Sequence, residues 1–362
     1  MNDTIKSEID LLRIDLPFII SEIVKLQYKI QPEFEKYGTK GVQHSLEDAK
    51  YNLEYLFSAI EVDSKILFQQ YNQWTNRLFT NLNLPKDTLN KFYYCTKEVF
   101  KERFIKGLMD EELFLKLMEY IDLGIDSLAI EEYEEPNSFF KIDNPLKVQL
   151  QKYSDFVFSG DRNSATKLIL DISQSNIEIK NIYKYILSPF QLELGNLWHA
   201  NKISVAQEHY STAVSQFAMA MLYERIFGIS KNEKIFLGTC VQGELHEFGM
   251  RMVCDYMESC GYNTYYLGAN MPESGIIRMI KEKKPDIVAI SCTMTFNVSK
   301  VRNLIQTIKS NGIPVPVIVG GFPFNLDKNL WKKIGGDGYS KDFEDALLIS
   351  EKLCRGGKND IL

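Results

Sequence analysis

The sequence has no apolar run that approaches a bilayer-spanning length, which takes roughly 20 residues. No membrane segment is expected. The first residues, Met1-Asn2-Asp3-Thr4-Ile5-Lys6-Ser7-Glu8, lack the basic and apolar blocks of a signal peptide, and a cytoplasmic location is expected. Strongly basic stretches are absent and the formal net charge is −6. Direct nucleic-acid binding is therefore not expected, because neutralising phosphates takes clustered Lys and Arg. The six cysteines, at 95, 240, 254, 260, 292 and 354, contain no C-x-x-C pair. Reduced, partly buried thiols are expected rather than a disulfide framework or a zinc site. Long internal repeats and low-complexity tracts are also missing.

What remains is an ordinary globular composition, 45% hydrophobic and 25% charged, over 362 residues. That length suffices for two or three domains with their own cores. Residues 1–138 read as an all-helical domain. Val42, Leu46, Ala49, Leu53, Leu56, Phe57 and Ile60 follow the 3.6-residue period, with Ser45 and Asp48 as a candidate cap. Further helices are expected at 64–80, 86–106 and 110–130. The acidic run Glu131-Glu132-Tyr133-Glu134-Glu135-Pro136 cannot bury a face and marks a boundary. Residues 145–228 read as four helices with short links, at Gly160-Asp161, Asp171 to Ile177 and Trp198 to Ile203. Such links imply antiparallel neighbours in a bundle.

From 233 to 362 strand and helix patterns alternate. Strands are expected at 234–241, 263–267, 286–292 and 315–319, and helices at 247–260, 273–283, 297–310 and 342–354. The fold class is thus α plus α/β, the last domain a Rossmann-like parallel sheet covered by helices. Ligands in such sheets sit beyond the carboxyl ends of the strands.

Histidine is scarce, four in the chain, and three fall in two clusters. One is Glu244-Leu245-His246-Glu247-Phe248-Gly249, directly after an apolar strand pattern. The other is Trp198-His199 followed by Glu208-His209. Ser291-Cys292-Thr293 and Gly320-Gly321 stand at the next strand ends. An imidazole on such a loop can reach a metal held above the sheet. Hydroxyls can bond a polar tail, and glycines leave room for one. Read singly, each feature has a plainer meaning: a surface histidine, a strand-to-loop turn, a core tryptophan, a solvated helix start.

Together, Glu244-x-His246-x-x-Gly249, Ser291-x-Thr293 and Gly320-Gly321 resemble the cobalamin-binding Rossmann-like domain. The bundle at 145–228 is similar to the helical cap that precedes it. Trp198, then nine residues, then Glu208-His209 resembles the cap of adenosylcobalamin-dependent photoreceptors of the CarH/LitR type. That resemblance implies adenosylcobalamin between cap and sheet, with His246 as the lower axial ligand of cobalt. It places Trp198 and Glu208-His209 around the adenosyl group, and makes His199 the upper axial ligand after light. The implied function is that of a light sensor, not an enzyme, signalling to a downstream protein or through its own oligomer. The chain lacks the MerR-type DNA-binding domain of those regulators. Its aromatic-rich first domain looks similar to the helical domain of photocobilins, which implies biliverdin or another linear tetrapyrrole there. His44 is the histidine at hand for it, and Cys95, inside an aromatic helix, is a poor linkage site. A dimerisation or partner-binding bundle is the other reading of this domain.

The competing reading for the whole is a corrinoid methyl carrier of a methyltransferase system, which uses the same lower-face histidine. A radical mutase subunit is set aside, because no run of alternating strands precedes residue 233 and such enzymes need a barrel of roughly 250 residues.

Overall fold

The computed structural model describes residues 3–129, 138–141, 143–175, 177–226 and 230–355. The expected acidic boundary at Glu131–Pro136 lies outside them. The described chain divides into two compact units.

The first unit contains α1 (Asp3–Ile14), α2 (Leu16–Ile30), α3 (Gly38–Glu61), α4 (Lys65–Asn81), α5 (Thr88–Ile105) and α6 (Glu111–Leu128). It also takes in Cys292–Ile305 and Phe322–Gly335 from later in the chain. Of the periodic residues of α3, Ala49, Leu53, Leu56, Phe57 and Ile60 are buried in one core with Phe68, Tyr93 and Ile121, whereas Val42, in the first turns, is exposed. The helix starts earlier than the expected cap. Ser45 lies inside α3 with its hydroxyl 3.4 Å from that of Tyr28, because nothing from Gly38 to Ser45 breaks a helix except a tolerated glycine.

The second unit holds the bundle and the sheet. The bundle is α7 (Lys147–Phe158), α8 (Arg162–Gln174), α9 (Ile179–Ile182) running through a π turn (Tyr183–Leu187) into α10 (Ser188–His199), and α11 (Val205–Leu222). Pro189 explains the π turn, since it lacks an N–H for the Tyr185 carbonyl. That carbonyl instead accepts from Asn144 Nδ2 at 2.7 Å. Two expected links are shorter than the sequence suggested. Asp171 to Gln174 continue α8, and Trp198 and His199 form the last turn of α10. The next helix is started by a capping box, in which Ser204 Oγ accepts from Gln207 N and Gln207 Oε1 accepts from Ser204 N.

Five parallel strands follow: β1 (Ile235–Cys240), β2 (Asn263–Tyr266), β3 (Ile287–Ser291), β4 (Val317–Gly320) and β5 (Gly338–Ser340), in the order β2-β1-β3-β4-β5. The last strand was not expected; three residues including a glycine carry no strand pattern. Connecting helices are α12 (Phe248–Ser259), α13 (Glu273–Lys283), α14 (Val298–Ser310), α15 (Phe322–Leu326), α16 (Leu330–Lys333) and α17 (Phe343–Arg355). Phe248 and Met252 of α12 and Phe343 of α17 join the bundle's own core, with Tyr153, Phe190 and Leu222. Among the described residues no helix is long and apolar enough to cross a membrane.

Candidate functional site

The chain runs outward from β1 to β2 on one side and to β3 on the other, so β1 and β3 flank the topological switch point, where open α/β sheets bind ligands. The register lines up the strand ends. Cys240 pairs with Ser291, Ser291 with Gly320, and Gly320 with Ser340. Ser291 and Gly320 therefore share one row at the carboxyl edge, and the loop carrying His246 leaves the same row.

That loop is built from hydrogen bonds. Gly243, at φ +86°, donates its N–H to Asn270 Oδ1 at 2.8 Å. Glu244 donates to the Val241 carbonyl at 3.0 Å and accepts from Asn270 N at its own carbonyl at 2.9 Å. The carboxylate of Glu244, wholly buried, accepts from the His246 N–H at 3.1 Å and from its ring Nδ1 at 2.7 Å. The His246 ring itself is 55% exposed, and Nε2 has no partner among the described residues. Nδ1–H donating to Glu244 leaves the lone pair on Nε2. The hydrogen bond to Glu244 raises the His246 pKa against the effect of burial, and the charges of Glu244 and Glu208 add to it. Glu208, from the start of α11, is thus close enough for its charge to act on the ring.

Glu247 was not singled out in the sequence, and the structure gives it a place. Its Oε1 accepts from Gln216 Nε2 of α11 at 3.2 Å, and its Oε2 from Tyr266 OH at 2.8 Å and Ala269 N at 2.9 Å. It ties the bundle to the end of β2, one residue past His246. No sequence spacing announces this role; only the meeting of three elements does. Tyr183 OH to Asp255 Oδ2 at 2.8 Å and Tyr223 OH to Glu258 Oε2 at 3.0 Å fasten α12 to the bundle in the same way.

The other expected residues fall out as follows. Gly249 is the second residue of α12, and a Cβ there would meet nothing within 4 Å. Gly320 needs no cofactor to explain it, since a Cβ would lie 2.9 Å from the Ser340 carbonyl of β5. Gly321 has a φ of +107°, a region that favours glycine. Thr293 belongs with the first unit. Trp198 is half-buried and His199 buried; both stand on the helix rather than in the loop where the sequence placed them. His209 is exposed, and its Nδ1 lies 2.6 Å from the Glu208 carboxylate. Thr212 Oγ1 donates to the other Glu208 oxygen at 2.9 Å.

The donor set fits a metal that arrives already chelated. Among the described residues no three His, Cys, Asp or Glu side chains converge as a bare ion requires. One imidazole with a buried carboxylate behind it is present instead, which would suit a single bond to the cobalt of a corrin ring.

Comparison with known proteins agrees. Residues 235–348 match the B12 binding domain family, and residues 149–223 match a second family of the same description. Dimethylamine corrinoid protein 3 of Methanosarcina mazei is 30% identical over 127 residues, covering 34% of this chain and 74% of that protein. Dimethylamine corrinoid protein 3 of Methanosarcina acetivorans is 29% identical over 208 residues, covering 56% of this chain and 96% of that one. The solved monomethylamine corrinoid protein of Methanosarcina barkeri has a similar fold, with a TM-score of 0.51 at 20% identity over 57% of this chain and 99% of that one. These relatives are corrinoid proteins, which favours the carrier over the light sensor suggested by the cap residues.

Proposed function

We propose, for a chain that belongs to the corrinoid proteins with B12-binding domains, that it carries a one-carbon group on a bound cobalamin and presents it to a partner methyltransferase. Cobalamin binding rests on the His246 ring, held at Nδ1 by a wholly buried carboxylate and open at Nε2, and the carrier role on the likeness to corrinoid proteins. Cobalamin bound there would supply a cobalt able to accept and release such a group. His246 Nε2 would ligate the cobalt. Glu244 fixes the tautomer, aims the ring and makes it more basic. Ser291 and Gly320, on the row of strand ends, and Gly321 after them would flank the cofactor's tail, with Gly249 leaving space above the first turn of α12. Catalysis would belong to the partner, and the chain would act as its carrier.

A second reading keeps the light sensor, holding adenosylcobalamin. It is favoured by Glu208, whose charge reaches His246 from the bundle side and whose carboxylate suits ribose hydroxyls or an adenine amine. Trp198 and His209 would complete that pocket. His199, now buried in the last turn of α10, would have to turn toward cobalt after light. Biliverdin in residues 1–138 belongs to this reading too, and rests on the aromatic helices and the photocobilin resemblance.

Titration of the full chain with methylcobalamin and adenosylcobalamin, in the dark and after green light, separates the two. The carrier binds both forms with His246 on cobalt, and light leaves its assembly state unchanged. Strong preference for adenosylcobalamin, with a light-driven change in mass that His199→Ala prevents, would establish the sensor instead.

A further inference from the structure

The first unit contains a cavity of about 500 Å³, within the range of about 300–1,000 Å³ usual for small-molecule sites. α3 forms one wall with Lys40, Gly41, His44, Ser45, Asp48 and Asn52, positions three or four apart that a helix sets on one face. Phe34, Phe79 and Phe92, with Leu82 and Leu84, make the opposing apolar wall.

Two polar groups in the lining lack partners among the described residues. Gln27 is 4% exposed. Its Nε2 donates to Gln31 Oε1 at 2.9 Å and to the Thr88 carbonyl at 3.3 Å. Two acceptors on one nitrogen fix the orientation of the carboxamide, and among the described residues none donates to its Oε1. An acceptor held in one orientation at a cavity wall is available to a ligand N–H or O–H. Lys40, by contrast, is exposed, and its ammonium makes no ion pair with a described residue. Asp48 shares the wall, while His44 lies 3.7 Å from Glu47.

We propose that this cavity binds an amphipathic organic anion. Its flat apolar body of two or three rings would lie against the phenylalanines. Its N–H or O–H would donate to Gln27 Oε1, and its carboxylate or sulfonate would face Lys40. The site uses no residue of the cobalamin loop, so it stands or falls separately from the carrier reading.

The probe 8-anilinonaphthalene-1-sulfonate has all three features: fused rings, an anilino N–H and an anionic head. Calorimetric titration of the full chain, first saturated with hydroxocobalamin, should show one saturable site per chain. Lys40→Glu should weaken it about tenfold, and Asp48→Asn should tighten it about threefold by removing the opposing charge. Lys40 is exposed, whereas burial pushes the Asp48 carboxyl up to about 6, so the titrations are made at pH 8, where Asp48 is charged, on variants whose melting curves match the wild type. Ser45→Trp, with an unchanged melting curve, should abolish binding by filling the cavity. Unsaturable binding, or one affinity in wild type, Lys40→Glu and Asp48→Asn, would overturn the proposal. So would the opposite order, Asp48→Asn weaker and Lys40→Glu tighter, which would mark a site for cations.

Discussion

Two Glu–His pairs in the second unit have nearly the same separation and opposite surroundings. Glu244 and His246 meet at 2.7 Å, Glu208 and His209 at 2.6 Å. Glu244 is wholly buried and also accepts the His246 N–H, so its position is set by the loop. Glu208 is 29% exposed and His209 75% exposed, on the first turn of a helix. An exposed pair of this kind contributes about 0–1 kcal/mol and is easily exchanged for water. The lesson is that distance does not identify a ligand-holding pair; the burial of the carboxylate does. A buried acceptor has no solvent to turn to, so it holds the ring in one place.

The sharpest way to break this comparison is His246→Ala. The full chain titrated with hydroxocobalamin should then lose the absorption signature of an imidazole on cobalt altogether. An unaltered spectrum and affinity would remove His246 from cobalt.

A second buried carboxylate extends the comparison to stability. Asp255 accepts from Tyr183, and burial, opposed by that hydrogen bond and by the charge of Arg251, pushes its carboxyl up to about 6. Unfolded aspartate titrates near pH 4. The folded chain therefore holds the proton longer, and the stability this gives is complete below about pH 4 and lost as the pH rises through about 6. Asp255→Asn should remove a fall of up to about 3 kcal/mol in unfolding free energy between pH 4 and 7, read by urea denaturation across that range. A variant that keeps the wild-type slope would show that another group is responsible.

Next in size is Glu244→Ala. Groups that orient a metal ligand typically contribute about 10–100-fold to affinity, so cobalamin binding should weaken within that range while the fold, checked by circular dichroism, persists. Glu208→Ala and His209→Ala form the other arm. Each should change methylcobalamin affinity by less than about fivefold. If Glu208→Ala matches Glu244→Ala in effect, the two pairs are equivalent and the burial argument fails.

The sheet was legible because its strands carry a strong signal. Buried parallel strands read as continuous apolar runs, as in Ile287-Val288-Ala289-Ile290. β5 escaped because Gly338-Tyr339-Ser340 holds no such run, and its place is set by pairing with β4. Trp198 to Ile203 reads as a link in the sequence, but its first two residues are helical. Packing of Phe190 and Leu194 carries the helix through to His199. Glu247 was invisible as a functional residue because its partners Gln216, Tyr266 and Ala269 come from distant parts of the chain.

The sequence by itself determined that a histidine follows the first strand of a parallel sheet, with a carboxylate two residues before it. Local chemistry and strand periodicity suffice for that, since both are written in neighbouring residues. Only the tertiary structure decided that Glu244 is sealed from solvent while His246 stays open, and that Glu247 clamps the bundle to the sheet. It also decided that Gly320 is required by the Ser340 carbonyl, and that Gln27 and Lys40 line one cavity. Each of these depends on burial and on groups brought together from far along the chain, and neither is encoded in spacing.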